Sequence, residues 1–128
     1  MGKTNTAVEH HKRLSADGMG TAHVAGDWIA SSGFGSTAAV TFTGIANDSR
    51  GHVIVTCGGT GQGANPTLTL TFKDGAWETA PIMLTDRVGA TQPTIRMQAV
   101  CTTTTAVLTF RGTASGSEVY EFTFLVRG

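Results

Sequence analysis

Charged side chains make up only 14% of this 128-residue chain, nine basic against nine acidic, for a formal net charge of zero. That balance argues against a basic nucleic-acid face, because phosphate binding draws on clustered Lys and Arg, and against long-range steering of a charged partner. Near-zero net charge also favours association over life as a free monomer. The chain is therefore expected to work inside an assembly. Cysteine is almost as scarce. Cys57 and Cys101 are the only two, too few to build a zinc site alone. Each ends an expected strand in phase with apolar neighbours, which reads as a small buried hydrophobe, with a disulfide as the alternative. No run approaches the roughly 20 apolar residues of a membrane helix, and Met1–Thr6 lacks the apolar stretch of a secretory signal. Synthesis in a cytosol without membrane insertion is the expectation. After Gly33 no helical period of useful length occurs either.

What remains is alternation. From Gly35 onward, short bursts of alternating apolar and polar residues are separated by Gly, Asn-Asp, Pro and Thr clusters, the pattern of an antiparallel β-sandwich. Ala38–Thr43 sets Val40 and Phe42 on one face. Asn47–Gly51 supplies a turn, since Asn, Asp and Gly tolerate left-handed backbone. His52–Cys57 follows with Val53, Val55 and Cys57 in phase. Thr67–Phe72 is the cleanest strand: Leu68, Leu70 and Phe72 face the core, and three threonines face out. Further strands are expected at Ile82–Asp86, Thr94–Cys101, Ala106–Arg111 and Glu118–Val126, the last with Tyr120, Phe122, Phe124 and Val126 on one face. An eighth forms near Trp28. The predicted fold is an all-β, antiparallel jelly-roll sandwich of about eight strands with an extended N-terminal arm. The arm is residues 1–32 and the sandwich residues 33–128, which is expected to fold without the arm. The length suits one domain with a core of its own.

In the arm, Val8–Leu14 has the makings of a helical turn or two, but Gly18, Gly20 and Gly26 follow quickly. Trp28 and Ile29 give its end an apolar anchor, which either caps its own sandwich or docks on a neighbour. With His10 and His11 they are the candidate attachment residues.

Candidate chemistry is thin. Gly58 to Pro66 invites a phosphate-loop reading, yet Ala64-Asn65 stand where Lys and Ser or Thr belong, and a strand follows instead of a helix. It reads as an inter-strand loop. Adjacent His10 and His11 cannot share a metal as an i, i+4 pair does, and with His23 and His52 they read as solvated or assembly-contact residues; no metal or cofactor is expected. Asp74, Glu78, Asp86, Glu118 and Glu121 fall near turns or on outward positions, a poor setting for the raised-pKa carboxylic acid of a glycosidase. No Gly-x-Ser-x-Gly elbow occurs. The residues do not point to an enzyme. Thr102–Thr105 and the outward threonines make a neutral sheet face that satisfies strand propensity and also suits contact with a symmetry mate or with sugar hydroxyls.

An ordered series of segments runs through the chain: Asn47–Thr56, Gly61, Leu68–Phe72, Ala80–Thr85, Thr102–Phe110 and Tyr120–Gly128. In that order the series resembles a domain common in tailed-bacteriophage virion proteins, a jelly roll of the tumour-necrosis-factor-like, trimer-forming kind. The resemblance implies a virion structural protein, a homotrimer that decorates or reinforces the capsid through its arm and contacts major capsid or other virion proteins. Its alternative is a receptor- or carbohydrate-binding tip of a tail fibre or spike, in which Trp77, Arg87 and Gln92 would touch host surface glycan. Tyr120, Phe122 and Phe124 in the last strand are the expected subunit interface.

Overall fold

The computed structural model describes residues 20–88 and 96–128. They form two four-stranded antiparallel sheets packed face to face. The strands are β1 (Trp28–Ala30), β2 (Ala39–Phe42), β3 (Arg50–Thr56), β4 (Thr67–Thr71), β5 (Ile82–Arg87), β6 (Arg96–Cys101), β7 (Thr105–Arg111) and β8 (Val119–Arg127). One sheet runs β1-β4-β7-β6 and the other β2-β3-β8-β5. The eight-strand antiparallel sandwich is as the alternation predicts. In this sandwich β1 lies beside β4, and β8 is interior, between β3 and β5.

The period of two places the core. In β4, Leu68 and Leu70 are fully buried while their threonine neighbours turn outward. Their partners across the ladder, Leu108 and Ala106 of β7, are buried with them. The opposing sheet contributes Val53, Val55, Tyr120, Phe122, Phe124 and Val126. Aromatic rings bridge the layers. Trp28 meets Phe124 edge-on with centroids 5.2 Å apart, and Phe110 sits 5.2 Å from Phe34 and 5.9 Å from Phe122. Such pairs add about 0.5–1.5 kcal/mol beyond the area they bury. Phe34, on a short 3₁₀ turn (Ser32–Phe34), closes one end of this cluster.

The sandwich begins earlier than residue 33. β1 lies within the expected arm, pairs with β4 in register Trp28 to Leu70, and sends Trp28 into the core at 3% exposure. The arm's end is therefore part of the domain.

Two glycines are required by close approach. A Cβ on Gly51 would lie 2.5 Å from Ala46 Cβ and 2.7 Å from the Phe124 ring. Gly35 has φ +107° and would set its Cβ 2.0 Å from the Gly58 carbonyl oxygen.

Candidate functional site

Asn47-Asp48-Ser49, read from the sequence as a tight turn, is buried. Asn47 Oδ1 accepts from the amides of Ser49 and Arg50 and so holds the turn from within. Asp48 then points inward. It accepts from the backbone amides of Lys73 at 2.9 Å and Asp74 at 2.8 Å, and from His23 Nε2 at 2.8 Å. Burial by itself would raise the Asp48 pKa; the bonds from His23 and the two amides outweigh it and hold the carboxyl below its ordinary value. His23 stacks on Phe124 and receives Trp28 Nε1–H on its Nδ1.

Around this buried triad the chain entering β1 is tied down again at the surface. Both the Thr21 amide and its hydroxyl donate to Asp74, the His23 amide donates to the Ala46 carbonyl, and Lys73 pairs with Asp27 at 2.9 Å. Residues 20–30 are thus clamped to the β2–β3 and β4–β5 turns of their own subunit. Of the two readings of Trp28, the cap on its own sandwich is the one observed. Its neighbour Ile29 faces the other way and is 65% exposed.

Both sheets turn a patterned face outward. On β1-β4-β7-β6 the register aligns Ile29, Thr69, Val107 and Val100 in one row and Thr67, Thr109 and Gln98 in the next. On β2-β3-β8-β5 one row carries Arg50, Leu125 and Leu84, and the next pairs Arg127 with Ile82. Ile82 and Leu84 are 67% and 54% exposed on the edge strand β5. The same face holds a half-buried His52–Glu121 pair beside a shallow depression lined by Thr43, Ile45, Arg50 and Thr123. A second, apolar depression lies on the opposite edge, where β1 and β2 meet, with Ala25, Gly26, Ala30, Ala38 and Ala39 along its walls.

The residues expected to carry function are dispersed. His10, His11 and Gln92 lie outside the described residues. Trp77 was expected on a ligand-contact loop, but it is buried against Phe72, 5.9 Å between ring centroids, and offers no platform to a sugar. Arg87 is exposed at the end of β5. Tyr120, Phe122 and Phe124 do not form a subunit interface: at 3%, 0% and 4% exposure they are the core of their own sandwich. The correction is one of side. The face of β8 that carries the aromatics points inward, and the opposite face, with Glu121, Thr123 and Leu125, is the one presented outside.

Three of the five singled-out carboxylates are engaged in local contacts. Asp74 caps Thr21, Glu121 faces His52, and Glu118 accepts from Ser115 and from the Tyr120 hydroxyl. Burial and the Glu118 carboxylate push the Tyr120 phenol well above its usual range. Cys57 and Cys101 are free thiols, each raised chiefly by burial. The glycine-rich run connects β3 to β4 as a loop, pinned by Gly63 to the Gly33 carbonyl and by the Gln62 side chain to Gly116. Among the described residues no three His, Cys, Asp or Glu side chains gather as metal ligands.

The His23–Asp48 pair escaped the sequence reading because its halves lie 25 positions apart in segments that look like arm and turn. The available signal was the pairing of His23 with Trp28 five residues on, both polar-tipped aromatics at the edge of an apolar anchor. Comparison with protein-family models, with curated proteins and with solved structures finds no match for this chain.

Proposed function

We propose that this chain is a structural protein of a tailed-phage virion, a homotrimer that decorates or reinforces the capsid surface, with its N-terminal segment as the attachment device. The observation that carries the reading is where the aliphatic surface lies. The sandwich already has a full interior of its own, yet Ile29, Ile45, Ile82, Leu84, Val100 and Leu125 stand 41–69% exposed on its outer faces. In a chain this poor in charge, such surface marks contact with other proteins. The clamp at Thr21, His23 and Trp28 supports a division of labour. It fixes the point from which residues 1–19, with His10 and His11, reach a major capsid or other virion protein. Imaging intact particles with the protein labelled tests the reading: density on the capsid at threefold-related positions is expected, and its absence from virions overturns it.

The alternative is a receptor- or carbohydrate-binding tip, favoured by the shallow depression in which Arg50, His52, Thr43 and Thr123 gather polar groups around an open mouth. Binding of host surface polysaccharide that is lost in Arg50→Ala would promote it over capsid decoration.

A further inference from the structure

We draw no further inference here: the strongest candidate, the shallow depression lined by Thr43, Ile45, Arg50 and Thr123 beside the His52–Glu121 pair on the outer face of the β2-β3-β8-β5 sheet, belongs to the carbohydrate-binding alternative already described, and nothing in the structure shows what fills it.

Discussion

Trp28 Nε1 donates to His23 Nδ1 at 3.1 Å, and that bond decides which nitrogen of His23 carries the proton in the neutral ring. With Nδ1 accepting, the hydrogen sits on Nε2 and points at Asp48 Oδ1, 2.8 Å away. An indole on β1 therefore sets the polarity of a chain of bonds that ends on the amides of Lys73 and Asp74.

Asp48→Ala should be among the most destabilising single substitutions in this protein. It leaves the buried His23 ring N–H and two part-buried backbone amides without their acceptor, at about 1–3 kcal/mol for a buried group left unsatisfied. Urea denaturation followed by Trp fluorescence measures it. A loss below about 1 kcal/mol would mean that the network is replaceable by water.

Stability should fall on acidification in a defined window. The Asp48 carboxyl is held below its ordinary value of 3.8, so the folded state binds fewer protons there than the unfolded chain. Its contribution is complete above that ordinary value and is lost as pH drops through the lower folded-state value. Asp27, lowered by the Val24 amide and Lys73 against the opposing effect of burial, acts in the same direction. Melting temperatures from pH 6 down to pH 2 should show a decline beginning near pH 4, and a shallower one in Asp48→Asn.

Truncation should separate the arm from its anchor. Removing residues 1–19 leaves every described contact in place and is expected to give a folded β-protein that no longer joins particles. Removing residues 1–30 takes away β1, Trp28 and His23 together, and the sandwich is expected to lose its cooperative transition. Undiminished incorporation of the shorter truncation into virions would end the attachment role.

Gly51→Ala should destabilise although the change is a single methyl. The new Cβ would press on Ala46 and the Phe124 ring at under 3 Å, and overpacking of this kind costs about 1–3 kcal/mol. A chemical melt decides it, with Gly26→Ala as the control in open space.

The strands were legible because each carries its own evidence. Thr67–Thr71 alternates so cleanly that the buried face could be named residue by residue, and β8 likewise showed which side chains share a face. Alternation does not say what covers that face. The pattern alone leaves Tyr120, Phe122 and Phe124 open to cover by a neighbour, whereas the opposite sheet of the same subunit supplies it. Trp77 is the reverse case: it sits among loop-forming residues, and only the fold shows that Phe72 lies against it. The Asp48 network was invisible because turn propensity is local, while burial of a turn depends on which distant segments pass over it.

The interior position of β8 sets an order of events during synthesis. Five of the seven connections cross from one sheet to the other, and β3 and β5 have no common neighbour until β8 slides between them. A nascent chain lacking its last strand would hold two unpaired edges and the bare inner side of Val53 and Val55, a surface prone to stick to others like itself. Completion of this sheet must therefore wait for β8 to leave the ribosome, and slow, non-local strand pairing is what the topology then imposes.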